Sequence, residues 1–420
     1  MAYGESASQW FVRQFKGRIV QNRRWPAGLQ TAIEAKERVG LRQQGRILGS
    51  ITLQNLIALY PQVCGMTGTA ATQADEFRVI YNLDVEVIPT NRPVIRVDHH
   101  DALFATKNEK EDAVAEEVQR MHDTGQPILV GTASVEESER FSDRLKLRGI
   151  PHQVLNARND EEEAAIVARA GERGALTIST NMAGRGTDIR LGADVAEIGG
   201  LYVIGMNRHE SRRIDNQLRG RAGRQGDPGC SRFFVSLEDP LLVKYGIDNP
   251  AHKHDPEGIQ RMVEGQNLDI RRFLEKYEGV VESQRLVIQQ RRQSILEGTI
   301  PCSSELERLV SLTTIDDLWS EYLAAIRELR EGIHWVYLTT GNPFYHYLKS
   351  VHQLFEELEA KIAEEIPKRL AEADISGVDP SQRGATWTYL TTDMPFGNMS
   401  ERFARGLAAR FAVSDRGPYR

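Results

Sequence analysis

Three clusters of glycine with arginine, aspartate or threonine hold the residues best suited to phosphate chemistry. The longest runs Gln217-Leu-Arg-Gly-Arg-Ala-Gly-Arg-Gln-Gly-Asp227. Guanidinium groups are planar, permanently charged and bidentate toward phosphate oxygens, so Arg221 and Arg224 are candidate stabilisers of a transferring phosphoryl group. They stand three residues apart, a spacing that on a helix projects both from one face, and Gly220 and Gly223 clear space beside them. The second cluster is Asn181-Met-Ala-Gly-Arg-Gly-Thr-Asp188, in which two glycines flank Arg185 and let the backbone approach a ligand closely. Asp188 could accept from a ribose hydroxyl or from a coupling arginine, and an ordinary salt bridge on a solvated loop fits equally well. The third is Gly65-Met-Thr-Gly-Thr-Ala70, where Thr67, Gly68 and Thr69 suit either a coupling segment or a plain turn before a helix at Asp75.

Elements able to position these clusters can be read from periodicity. Strand-like runs at Pro93–Val97, Ile128–Gly131, His152–Leu155, Leu176–Ser179, Leu201–Gly205 and Phe233–Leu237 alternate with helix-like stretches. Those stretches are Lys110–His122, Val135–Leu147, Glu161–Ala170 and Glu210–Leu218. Such alternation predicts an α/β lobe, a mostly parallel sheet with helices on both faces, whose ligands lie beyond the carboxyl ends of the strands. From about residue 256 the pattern turns helical. Ile259, Met262, Val263, Ile270, Phe273, Tyr277, Val281 and Ile288 form one stripe, which predicts a single long helix to about Leu296. Two further stripes, Leu306–Leu329 and Tyr347–Ile362, flank the turn signal Gly341-Asn-Pro343 and predict an all-α scaffold with a helical hairpin. Residues 376–400 read as a loop or tail.

Bulk composition narrows the class. The 420 residues exceed one ordinary core, so two or three domains are expected. No run of about 18 apolar residues spans a membrane, and the start of the sequence has no secretory signal pattern, so a cytosolic or membrane-surface protein is expected. A net charge of -6 speaks against a dedicated nucleic-acid binder. Cys64, Cys230 and Cys302 are too far apart for a cysteine-rich zinc site and read as reduced thiols.

The Gln-x-x-Gly-Arg-x-Gly-Arg spacing is that of the superfamily 2 helicase motif, and it follows the matching Met-Ala-Gly-Arg-Gly-Thr-Asp loop in the expected order. With Arg23-Arg-Trp-Pro-Ala-Gly-Leu-Gln30, Ala32-Ile-Glu-Ala-Lys-Glu37, Pro89-Thr-Asn-Arg-Pro93 and the run Arg208–Asp227, the sequence resembles SecA, the family of bacterial preprotein translocation ATPases. The resemblance implies a RecA-like second nucleotide-binding lobe over 91–242, preceded over 1–90 by the end of the first lobe. It further implies a long scaffold helix over 256–300, a two-helix finger over 304–370 and a tail over 371–420. Arg221 and Arg224 would be finger arginines. Asp188, Gly184, Arg185 and Gln217 would line the nucleotide cleft, and Thr67, Gly68 and Thr69 would couple ATP state to lobe movement. The implied cofactor is ATP with Mg, shared across the cleft, with no metal ligand in this sequence. Implied partners are the SecYEG channel, a preprotein substrate and a separate first-lobe polypeptide, at the cytoplasmic face of the bacterial inner membrane and without nucleic acid.

The sequence also departs from that family. No Gly-Lys dipeptide occurs, so the Walker A loop is missing, and neither Asp75-Glu76 nor Asp160-Glu161 follows an apolar strand as a Walker B acid would. The stretch between Arg285 and Leu318 is too short for the helical wing, the zinc tail has no counterpart, and Tyr337 sits one position early in the finger loop. Weak or no nucleotide affinity is expected of the chain alone. Two other functions fit these departures: a non-hydrolysing paralogue acting as a binding module, and a superfamily 2 helicase fragment.

Overall fold

Apolar β-branched runs between capped helices set the first half of the fold. A computed structural model describes residues 11–12, 19–20, 32, 35–38, 49–155, 163–180, 188–245, 255–332 and 343–376. Two short strands, β1 (Phe11–Val12) and β2 (Ile19–Val20), pair antiparallel. Helices α1 (Leu53–Ala58) and α2 (Ala74–Tyr81) follow, with Asp75 and Glu76 in the first turn of α2. Seven strands then build one sheet: β3 (Val97–Asp98), β4 (Ala102–Phe104), β5 (Ile128–Thr132), β6 (Gln153–Leu155), β7 (Leu176–Thr180), β8 (Leu201–Gly205) and β9 (Gly229–Ser236). Helices α3 (Lys107–Asp123), α4 (Val135–Leu147), α5 (Glu163–Arg169), α6 (Arg212–Arg219) and α7 (Pro240–Tyr245) lie between and after them.

The helix starts follow from local chemistry. Thr106 and Glu109 form a reciprocal capping box at α3. Ser134 accepts from the Glu137 amide to cap α4. The strand order is β3-β9-β8-β5-β7-β6, with β4 beside β9, and every pairing in this sheet is parallel. Alternate residues feed two cores. Ile128, Val130, Ile178, Tyr202 and Ile204 pack against Val114, Val118 and Phe141 on one face, while Leu129, Leu201, Val203 and Val235 pack against Val167 and Leu218 on the other. This is the doubly wound α/β lobe that the periodicity predicts.

Several elements differ from the sequence reading; β9, for one, begins at Gly229 rather than Phe233. The first strand begins at Val97 rather than Pro93, because proline has no N–H for a ladder and Arg96 turns its side chain onto another segment. The short strand Ala102–Phe104 is an addition, too brief for its period to register.

The chain divides into two compact units, one holding residues 1–42 and 65–265 and the other 43–64 and 266–420. Helix α8 (Pro256–Leu296) is continuous across the division between Gly265 and Gln266. In the second unit its later turns pack with α9 (Glu305–Gly332) and α10 (Pro343–Ser376) around Tyr277, Ile288, Ile315, Trp319, Tyr347 and Phe355. Tyr277 and Tyr347 lie 4.8 Å apart between ring centroids, and the buried Arg330 pairs with Glu278 at 2.9 Å. Helix α10 outruns its apolar stripe, continuing through the exposed Pro367 to Ser376. The carbonyl that Pro367 leaves unbonded belongs to the exposed Ala363, which faces water. Tyr337 and the loop 333–342 lie outside the described residues. No helix among the described residues is long and apolar enough to cross a membrane.

Candidate nucleotide-facing site

The arginine segment is not helical where its spacing suggests. Helix α6 stops at Arg219, with Gly220 as C-cap donating to the Asn216 carbonyl. Gly223 follows at φ 72° and Gly226 at φ 81°, left-handed conformations that end the helix rather than continue it. Arg221 therefore sits in the turn after the helix and Arg224 opens a single 3-10 turn, so the two do not share a helix face. The same run of glycines that suggested clearance beside the arginines is what terminates the helix.

The turn after α6 lies near the amino ends of β3 and β9. An eight-residue helix advances about 12 Å, enough to carry the chain from the end of β8 back toward the strands' amino edge. There Ala222 and Gly223 lie against Gly229, the first residue of β9: a Cβ on Gly229 would meet the Ala222 Cβ at 3.0 Å. The turn is held from outside by two arginines. Arg96 donates to the Ala222 carbonyl at 3.1 Å while pairing with Asp98, and Arg92 donates to the Gln225 carbonyl at 3.4 Å. A Cβ on Gly223 would fall 2.6 Å from the Arg96 Cβ. Gly223→Ala is expected to destabilise this turn by at least about 1–2 kcal/mol from the left-handed backbone alone. Faster amide exchange over residues 220–227 checks this, with exchange in β5 unchanged.

Asp188 and Arg224, distant in sequence, meet here. Arg224 Nη1 donates to the Asp188 carboxylate, and its Nε donates to the Gly220 carbonyl at 3.2 Å. The contact that Asp188 makes is thus a salt bridge to an arginine. Arg224 is 31% exposed and Asp188 59%, so the pair stands at the surface and can exchange partners. Arg221 is half-buried and lines a hollow with Thr177, Ser179, Thr180, Ile189 and Leu218. Gln217 is on α6, half-buried. Gly184 and Arg185 fall within 181–187, outside the described residues. Thr67, Gly68 and Thr69 form a tight turn in which the Thr69 amide donates to Thr67 Oγ1 at 3.4 Å and the Thr69 carbonyl accepts from Thr72 at 3.1 Å. The 3-10 turn Ala71–Gln73 that follows contacts α6, which places this segment beside the helix leading to the arginines.

Behind the arginines lies a buried charge network. Arg208 makes a bidentate pair with Asp101 at 2.6 and 2.8 Å and donates to Asp215 at 3.1 Å. Asp215, on α6 and fully buried, also accepts from the His209 amide at 3.2 Å, the His209 ring at 2.9 Å and Gln260 at 2.6 Å. Burial alone would raise its carboxyl, but the His209 hydrogen bond and the charge of Arg208 outweigh it and hold the group below the usual carboxylate range. The guanidiniums of Arg208 and Arg219 both stack on the Phe233 ring, at 4.3 and 4.9 Å. Burial and then the charge of Arg208 push Arg219 below the ordinary arginine value.

These donors fit the phosphate side of a nucleotide. Guanidinium groups are cations and donors only, so Arg221 and Arg224 would not ligate magnesium themselves. Sequence reasoning missed Arg96, Asp98, Asp101, Asp215, Gln260 and Glu264 as supports of the site. Arg92 and Arg208 lay inside motif stretches without a role. Only a three-dimensional contact gives any of them one.

A doubly wound parallel sheet, with an aspartate from the β7 loop meeting an arginine segment that follows β8, is a RecA-like α/β lobe. The match to family models is consistent across the chain: the SecA P-loop domain at residues 93–198 and 193–255, the SecA DEAD-like domain at 6–78, and the SecA Wing and Scaffold domain at 246–304 and 299–374. The chain belongs to the SecA family. It is 52% identical over 305 residues to "Protein translocase subunit SecA" of Syntrophus aciditrophicus, covering 68% of this chain and 36% of that protein. To "Protein translocase subunit SecA 2" of Thermobifida fusca it is 40% identical over 435 residues, covering 92% of this chain and 57% of that protein. The chain thus spans between about a third and just over half the length of these curated relatives. Among solved structures, the yeast DEAD-box splicing factor Prp28 is similar at 16% identity and a TM-score of 0.30, covering 46% of this chain and 40% of that one. A likeness that distant carries no argument beside the strand order itself.

Proposed function

We propose that this chain supplies the second nucleotide-binding lobe and the helical scaffold of a SecA-type motor that couples ATP hydrolysis to preprotein export through the SecYEG channel. One observation carries the reading: Asp188 and Arg224, from two separate family motifs, converge at the surface of the parallel-sheet lobe. Mg-ATP would supply the transferable phosphoryl group, cradled by a glycine–lysine loop that is not among these 420 residues. This chain's own part is positioning and charge. Arg221 and Arg224 orient and neutralise phosphate oxygens, Asp188 holds Arg224 until it moves onto phosphate, and Gln217, Gly184 and Arg185 border the same cleft. Thr67, Gly68 and Thr69, beside α6, pass the change on.

The proposed division of labour is 1–90 for the end of the first lobe, 91–242 for the second lobe, 256–300 for the scaffold helix, 304–370 for the finger and 371–420 for the tail. The finger would engage the channel and the moving preprotein at the membrane surface, without nucleic acid.

Mixing the chain with a polypeptide that carries the family's DEAD-like lobe and its Gly-Lys-Thr loop tests this reading. ATP hydrolysis is expected from the mixture and from neither component alone. No hydrolysis in the mixture, with both components folded, would sink it.

A further inference from the structure

The helix leading to the arginines begins without a cap of its own. Ser211, its N-cap residue, makes no side-chain hydrogen bond to the helix backbone, although serine is among the stronger capping residues. Its hydroxyl donates instead to Glu264 Oε1 at 3.3 Å. The Arg212 amide donates to the same oxygen at 2.7 Å, and Arg212 Nε donates to Oε2 at 2.9 Å. The cap is therefore a carboxylate from another element, the long helix Pro256–Leu296. One turn earlier on that helix, the fully buried Gln260 donates to the His209 carbonyl at 2.7 Å and to Asp215 at 2.6 Å. Both contacts lie within the compact unit that holds the arginine segment.

We propose that Glu264 and Gln260 are positioning residues for the arginine segment, through which the register of the long helix sets where Arg221 and Arg224 stand. The functional half of this inference rests on the nucleotide-facing reading. A helix start presents unbonded amides and the positive end of the helix dipole, and a carboxylate satisfies both better than a hydroxyl does. Because that carboxylate belongs to a different helix, sliding or rotating the long helix breaks the Arg212 contacts at one level and the Gln260 contacts at another. Such coupling is reciprocal: whatever pulls the arginines toward a ligand also biases the start of the long helix. Ser211 would have made the finger helix self-sufficient; its hydroxyl is instead used to hold Glu264.

Amide exchange on the full chain decides the cap. Glu264→Ala is expected to speed exchange at residues 215–219 about fivefold, the loss of one cap, with Ile128–Thr132 unchanged. Adding Ser211→Asp returns a cap from within the helix and should restore the slower rate, a rescue that a mere packing role for Glu264 would not show. In the hydrolysing mixture, Glu264→Ala should lower kcat for ATP with KM little changed, and the double variant should stay slow, since its helix is capped but has lost the Glu264 level of its tie to the long helix and keeps only that of Gln260. Unchanged exchange in Glu264→Ala, or a loss that Ser211→Asp leaves unrepaired, overturns the cap. Full recovery of kcat in the double variant overturns the link to the long helix. A mixture that hydrolyses no ATP even with the unaltered chain counts against the motor reading, while the exchange rates still decide the cap.

Discussion

Arg224→Ala is expected to lower kcat for ATP hydrolysis, in the mixture with a first-lobe polypeptide, by about three to five powers of ten, the range an arginine finger supplies. The size follows from where the charge acts. Phosphoryl transfer spreads charge over oxygens that the phosphate loop reaches from one side only, and a guanidinium from the other lobe neutralises the remainder. Arg224 is suited to that movement because its present partner, Asp188, is more than half exposed and holds it at the surface. Arg224→Lys should recover little, since a point charge cannot reproduce the fork that spans two oxygens. Arg221→Ala should also be severe, with some added loss of order in the hollow that it lines beside Leu218 and Thr180. KM for ATP should move far less than kcat in the Arg224 variant, because the contact strengthens as charge develops. Steady-state hydrolysis over a range of ATP concentrations measures both quantities, and equal losses in binding and turnover would point to a ground-state contact instead.

The second large effect is on stability. Asp215→Ala removes a fully buried carboxylate that accepts from Arg208, His209 and Gln260, and so deletes one partner from each. Breaking a buried charge network from one side costs about 3–5 kcal/mol. Asp215→Asn keeps the shape but not the charge and should cost less. The pH dependence has a defined sign. The folded carboxyl is held below its unfolded value, so its contribution is fully present above the unfolded pKa of about 4 and is lost as pH falls through the folded value. The Asn variant should lack that component of the acid limb. Alkylation of Cys230 in urea reads the unfolding of this lobe: the thiol sits half-buried in β9, where burial pushes its pKa up to about 11, so it reacts mainly once exposed. Mass spectrometry separates it from Cys64 and Cys302. Equal urea midpoints for Asp215→Ala and the unaltered chain would mean that the network contributes nothing.

Much of the lobe was legible because its signals are local. Ile128–Thr132 and Leu201–Gly205 are unbroken apolar runs, and Ser134 opens the helix Val135–Leu147 at the residue its capping chemistry names. The stripe ending near Leu296 likewise marks the long helix to its last residue. What failed were judgements that needed a competing local force or a distant partner. Arg221 and Arg224 satisfied helical spacing, but Gly220, just before them, caps the end of the helix and Gly223, between them, takes a left-handed φ, so the helix stops first. The length of α6, which brings Ala222 and Gly223 against the first residue of β9, is not a feature that strand and helix periodicity places. Asp215 falls inside the run Arg208–Asp227, where the sequence alone gives it no role. Its importance comes from Arg208, 7 residues before it, and Gln260, 45 residues after it, a pairing that no periodicity encodes. Arg96 could not be assigned either, since only the fold brings it against Gly223, 127 residues on.

The central claim is that these guanidiniums face a nucleotide held by another lobe. A structure of the chain assembled with a first-lobe polypeptide, Mg-ADP and aluminium fluoride tests it most directly. Arg221 and Arg224 are expected within about 3 Å of the fluoride or phosphate oxygens, with Arg224 released from Asp188. Arg224 still paired to Asp188 and turned away from an occupied nucleotide site would contradict it.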